Sequence, residues 1–248
     1  MQLSYSDIML NRNPINLFID FDGTISSTDI GDTFLDEFAV REPLHSQLLK
    51  GDINVKEFWN SLVSQLIKPI TSEALTSFLE NISIDSGFAL LIELCKKNNI
   101  GIIIVSDGLD IYIKKFLELN GINSIPFFAN NAEISIDGKL KVSFPRGSES
   151  CSCFPALCKR NVLLEFTESD SIVIYVGDGH SDMCAAEHSD IIFAKKHLAK
   201  FCNEKRLPHY PFKNLTQVTF QLNNLIIKNK LRNRHKAQLM RNGAYIQE

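Results

Sequence analysis

Four carboxylates stand just beyond apolar runs, where folding could bring them together. Asp20 and Asp22 occur in Asp20-Phe21-Asp22-Gly23-Thr24, and Asp178 and Asp182 in Gly177-Asp178-Gly179-His180-Ser181-Asp182. A third apolar run ends in Ser106-Asp107-Gly108. Residues two apart on an extended strand share a side, so Asp20 and Asp22 face the same way. Gly23 lets the chain turn after them. Converging carboxylates repel unless a cation sits among them, and an all-oxygen ligand set selects Mg²⁺ or Ca²⁺ over zinc. Mg²⁺ takes one or two carboxylates and keeps places for water and phosphate. The hydroxyls of Thr24 and Ser106, a backbone N–H or two and one lysine would complete a phosphate pocket. A single Asp at a strand end is usually a turn or N-cap residue. Charge at three strand ends of one alternating pattern argues instead for a metal-assisted phosphate site.

The elements that must position these residues are legible as apolar periodicity. Ile15–Asp20, Ile100–Ser106 and Ile172–Asp178 are short and rich in β-branched residues, without polar alternation. Such runs suit parallel strands covered on both faces. Asp190–Ala194 reads as a fourth. Between them Phe88–Lys97, Ile111–Leu119 and Phe154–Phe166 carry helical spacing. Alternating strands and helices predict a doubly wound α/β sheet, whose ligands lie outside the carboxyl ends of its strands. Residues 29–85 break the alternation with successive helical patterns punctuated by Pro43 and Pro69, which predicts a helical insertion after the first strand. Asp137-Gly138 between Glu133–Ile136 and Lys139–Phe144 predicts a hairpin. The expected organisation is a core of residues 1–28 and 86–225, a helical cap of residues 29–85 and a basic tail of residues 226–248.

Asp20-Phe21-Asp22-Gly23-Thr24, Ser106, Lys159 and Gly177-Asp178-Gly179-x-x-Asp182 resemble, in order, the four motifs of haloacid-dehalogenase-like phosphatases. The pattern covers about residues 15–195. The insertion resembles the small cap of the phosphoserine-phosphatase-like branch. The resemblance implies a Rossmann-like three-layer α/β/α fold and a phosphoric monoester hydrolase. Asp20 would be the nucleophile that forms an aspartyl-phosphate, and Asp22 the acid and then the base. Thr24, Ser106, Asp107, Gly108 and Lys159 would bind phosphate. Mg²⁺ would be held by Asp20, the backbone carbonyl of Asp22, Asp178 and Asp182. Asp29 falls where a substrate-reading acid sits in that branch, and an N-cap is its other reading.

Two sub-branches come close: the phosphatases of the methionine-salvage ester 2-hydroxy-3-keto-5-methylthiopentenyl-1-phosphate, and those of phosphoethanolamine and phosphocholine. Phosphoserine is a further substrate reading, and transfer to an acceptor other than water is compatible with the same intermediate. Phe58 and Trp59 read as cap core, His180 as a loop residue at the pocket rim and Arg160 as a surface residue. Cys151, Cys153 and Cys158 lack a clear fourth ligand for zinc, so thiols are the expected state.

Composition limits the alternatives. The 248 residues carry 26 Lys and Arg against 29 Asp and Glu, a net charge of -3, which excludes a globally basic nucleic-acid binder. No apolar run approaches the ~20 residues of a membrane helix, and no secretory signal is visible, so the cytosol is the expected compartment; the expected partner, a small-molecule phosphate ester, is what the resemblance implies. The charge is uneven: the tail holds Lys228, Lys230, Arg232, Arg234, Lys236 and Arg241 against Glu248 alone. Its two readings are a solvated terminal helix and a surface for an anionic partner.

Overall fold

The computed structural model describes residues 14–136, 138–147, 156–168 and 170–247. β1 (Ile15–Asp20) is followed by α1 (Ile30–Phe38), α2 (Leu44–Lys50), α3 (Val55–Leu62) and α4 (Ser72–Leu79) before α5 (Phe88–Lys97) leads into β2 (Gly101–Leu109). Then come α6 (Asp110–Leu119), β3 (Phe127–Ile134), β4 (Leu140–Ser143), α7 (Lys159–Glu165), β5 (Ile172–Gly177) and α8 (Met183–Glu187). β6 (Ile191–Ala194), α9 (Lys196–Glu204), β7 (Tyr210–Pro211), α10 (Leu215–Ile227) and α11 (His235–Gln247) complete the order.

The strands form one sheet in the order β4-β3-β2-β1-β5-β6-β7. All neighbours are parallel except β3 and β4. β1 is sandwiched between β2 and β5, and the strand order reverses there, which opens a crevice at the carboxyl ends. The register sets its contents. Asp20 pairs with Val105, one residue before Ser106, and Ile19 pairs with Val176, two residues before Asp178. Three sequence-distant strand ends thus become neighbours.

Side-chain alternation along β1 explains why both faces are covered. Leu17 and Ile19 join Phe88, Leu91, Phe116 and Leu215 on one side, while Phe18 joins Val162, Leu163, Ala185 and Leu198 on the other. The helices between β1 and β2 belong to the first cluster through Phe34, Phe38, Phe58, Trp59 and Leu62. Local signals set their starts. The Asp29 side chain caps α1 by accepting the Asp32 N–H, and Asn54 with Glu57 forms a capping box on α3.

Three expectations change. β2 does not stop at Ser106 but runs on to Leu109, with a register irregularity against β3 after Val105. The helix expected from Phe154 begins at Lys159, after Cys158 as N-cap; residues 154 and 155 lie outside the described residues. Arg160, read as a surface residue, is buried. The hairpin forms between β3 and β4, with Asp137 itself outside the described residues.

The basic tail is not simply a solvated run. The Arg234 backbone N–H and the buried Arg241 guanidinium both reach Asp190, at 2.7 Å and 3.2 Å. Arg234 donates to the carbonyls of Glu187 and Ser189, each at 2.7 Å, and Arg241 to that of His188 at 2.7 Å. These carbonyls end α8 or follow it, where cations are favoured. Lys228, Lys230, Arg232 and Lys236 remain exposed. Arg241 is 1% exposed and Asp190 0% at the side chain, so removing the arginine strands a buried charge. Arg241→Ala is expected to cost about 3–5 kcal/mol in urea unfolding. A loss under about 1 kcal/mol, the range of surface pairs, would count against the packed position.

Candidate active site

Asp20 ends β1, and its carboxylate accepts the Lys159 ammonium at 2.5 Å. Lys159 is the first residue of α7 and is 2% exposed. The same ammonium reaches Asp182 at 2.7 Å. Burial disfavours the charged lysine, but Asp182 and Asp20 outweigh burial and its pKa is raised. Burial, then the charge of Asp182, push Asp20 well above the usual carboxylate range, with Lys159 opposing.

Asp22 looks the other way along the crevice. One oxygen accepts the N–H groups of Ile30 and Gly31 at 3.0 and 3.2 Å, in the first turn of α1. The other accepts the Ser106 hydroxyl at 2.9 Å. Burial and the neighbouring Asp29 push the Asp22 carboxyl up to about 7. A group poised there can give and take a proton near neutral pH. Ser106 is fully buried and its oxygen also accepts the Gly108 N–H at 2.9 Å, so it orients Asp22.

Asp182 is saturated with donors. Lys159 and the Tyr175 hydroxyl meet one oxygen, each at 2.7 Å. The N–H groups of Asp178 and Gly179 meet the other at 2.9 and 2.8 Å. It therefore fixes the lysine and the loop after β5. Asp178 accepts the Lys196 ammonium at 2.8 Å.

A divalent cation fits this arrangement. Asp20, Asp178 and Asp182 each offer an oxygen within 4.8 Å of the others, and all three are buried. The donors are oxygens alone, which favours a hard ion. Gly23, at φ +67°, keeps the ground open: a Cβ there would stand 2.9 Å from an Asp178 oxygen.

The remaining expectations divide. Thr24 is buried with an unpartnered hydroxyl among the described residues. The Asp107 carboxylate accepts the Leu157 N–H at 2.7 Å and braces the segment before α7. Asp29 caps α1, as its N-cap reading has it, and it also lines the cavity. Phe58 and Trp59 likewise belong to the core and to the cavity wall. His180 sits exposed at the rim, stacked on His197 with ring centroids 4.4 Å apart. Cys151 and Cys153 lie outside the described residues; Cys158 is buried beside Cys184.

Sequence reasoning missed Tyr175, Lys196 and Tyr112. A phenol inside an otherwise aliphatic strand requires a partner when buried, which was the signal for Tyr175. Lys195-Lys196 directly follows the fourth strand, another carboxyl end at the same edge. Tyr112 lay hidden in helical periodicity.

The site opens into a cavity of about 1080 Å³. Carboxylates and Lys159 line its floor, and Leu35, Leu48, Val55, Phe58 and Trp59 form an apolar wall from the inserted helices.

A pocket of strand-end carboxylates beneath helices that follow β1, on this sheet order, is a haloacid-dehalogenase-like fold, and the class of protein is a phosphatase. The chain belongs to the Putative Phosphatase family, whose model matches residues 15–222. Among its relatives is a 2-hydroxy-3-keto-5-methylthiopentenyl-1-phosphate phosphatase from Bacillus cereus, 26% identical over 215 residues, which cover 86% of this chain and 97% of the relative. Its fold is similar to that of a HAD family hydrolase from Salmonella enterica serovar Typhi, with TM-score 0.64 and 17% identity over 84% of this chain and 70% of that one. A phosphoserine phosphatase captured as a phospho-aspartyl intermediate analogue gives TM-score 0.61 and 18% identity over 84% and 98%. The arginine contacts of α11 lie beyond the family match. Among the described residues no helix is long and apolar enough to cross a membrane.

Proposed function

We propose that the protein is a cytoplasmic, Mg²⁺-dependent phosphatase of a small metabolite and that Asp20 is its nucleophile. The observation that carries this is the buried Lys159 joining Asp20 to Asp182 at the floor of an open cavity. A buried ammonium at a strand-end carboxylate neutralises charge where a phosphoryl group would be transferred. Asp20 attacks phosphorus and the ester oxygen leaves with a proton from Asp22. Asp22, now ionised, takes a proton from water as it opens the aspartyl-phosphate. Thr24, Ser106 and the backbone at Asp107 and Gly108 hold phosphoryl oxygens. Asp20, Asp178 and the Asp22 carbonyl would hold Mg²⁺, with Asp182 bordering it through Lys159. When bound, the ion supplies positive charge to the phosphoryl oxygens.

The substrate we favour is 2-hydroxy-3-keto-5-methylthiopentenyl-1-phosphate, the compound named for the Bacillus cereus relative. The apolar wall suits its uncharged thioether chain. Phosphoethanolamine, phosphocholine and phosphoserine would need an acid free to meet the amine. Asp29 already gives one carboxylate oxygen to the cap of α1, and Asp32 gives one to Arg41 at 2.7 Å, which weakens both as partners of an amine.

Phosphate release from these four esters, measured with Mg²⁺ and with a chelator, tests the reading. The expected result is release from the thioether ester with the highest kcat/KM, lost on chelation and restored by Mg²⁺. Release from none would overturn the phosphatase assignment; a preference for an amine ester would overturn the substrate.

A further inference from the structure

Tyr112 is fully buried in the first turns of α6, yet its ring lines the active-site cavity. Its hydroxyl is buried and its proton has no acceptor among the described residues, although the Leu109 N–H lies close to its oxygen. An unmet buried hydroxyl costs about 1–3 kcal/mol, so a protein retains one where something else uses it.

Two glycines make room for this hydroxyl. A Cβ on Gly108 would lie 1.9 Å from it, and a Cβ on Gly31 would lie 3.2 Å from it. The same points locate its neighbours: Asp22 Oδ2 is 3.0 Å from the first and Asp29 Oδ1 3.2 Å from the second. The phenol therefore stands in a notch beside the group that protonates the leaving oxygen. Burial and the charge of Asp22 raise its pKa well above the ordinary phenol value, so it is a hydrogen-bond donor at neutral pH. Phe34 holds the ring, with centroids 5.7 Å apart.

We infer that Tyr112 is a substrate-contact residue whose hydroxyl donates to an oxygen on the carbon adjacent to the ester carbon, selecting phosphate esters of 1,2-oxygenated alcohols. Asp22 meets the ester oxygen itself, so a donor next to Asp22 meets the substituent one carbon farther along. The inference rests on the phosphatase reading above and narrows its substrate class. A hydrogen in place of that oxygen would leave the hydroxyl's proton unmet, which makes the pocket disfavour the deoxy ester.

The test compares 1,2-propanediol 1-phosphate with n-propyl phosphate, which differ by one hydroxyl, on wild type and Tyr112→Phe. Wild type is expected to favour the diol ester by about five- to tenfold in kcat/KM, the worth of one hydrogen bond. Tyr112→Phe should bring that ratio close to one. A retained cooperative melting transition shows that the variant is folded, so a change in the ratio reports on the site. A ratio unchanged by the substitution, or a wild type without preference, overturns the inference while leaving the phosphatase reading in place. Release from neither ester, by protein that hydrolyses the thioether ester, overturns the inference alone; absence of release from all of the esters overturns both readings.

Discussion

Asp20→Asn is expected to abolish phosphate release, with at least ~10⁴-fold lost from kcat, in a protein that still folds. The loss is of this order because a nucleophile and its supporting groups act as one unit, so what remains is only binding and charge stabilisation. Asn keeps the size of the side chain and its place at the end of β1, but its amide cannot form an acyl phosphate. Stability should not fall with activity. Burial and the Asp182 charge already disfavour an ionised Asp20 in the metal-free protein, and the neutral amide removes that repulsion. Thermal unfolding beside a phosphate-release assay separates the two effects. Retained turnover would remove Asp20 as the nucleophile; a lost melting transition would assign it to folding.

Lys159→Met is expected to damage both properties. The ammonium is 1% exposed at the side chain and serves two carboxylates that are 6% and 0% exposed. Removing it leaves Asp20 and Asp182 buried without their cation, at a cost of about 3–5 kcal/mol in metal-free protein. Lys196 does not replace it, since that side chain is 58% exposed and bound to Asp178. Activity should fall about 10²–10³-fold through lost stabilisation of developing charge. Mg²⁺ should recover part of the stability, because it restores positive charge among the same carboxylates, but little of the rate. Urea unfolding with and without Mg²⁺ measures this. A metal-free loss below about 1 kcal/mol, or equal losses in both conditions, would contradict the role of Lys159 as the buried counter-ion.

Both effects concern residues that the sequence exposes readily. Asp20, Asp22, Asp178 and Asp182 sit beside short aliphatic runs with glycines close by, and a local pattern of that kind survives without knowledge of contacts. The hydroxyls show the limit of such reading. Ser106 is recognisable as a strand-end residue, but its bond to Asp22 depends on the pairing of β1 with β2 across 84 positions of sequence. Gly108 reads as a turn glycine, yet β2 continues through it, and its missing side chain accommodates the Tyr112 phenol. Arg241 shows the same limit at the chain end. Its charge places it in a solvated run until Asp190, 51 positions away, is seen to be buried against it.

The sequence by itself determined the α/β alternation, the order of the strand ends and the identity of the carboxylates, because short-range periodicity and backbone preference decide those. Only the tertiary structure decided which carboxylate is satisfied by four donors, which basic side chains are buried and which hydroxyl is left unmet. Those outcomes depend on burial and on partners far apart in the chain. Desolvation makes each such pairing costly to leave incomplete, and no local pattern records whether it has been completed.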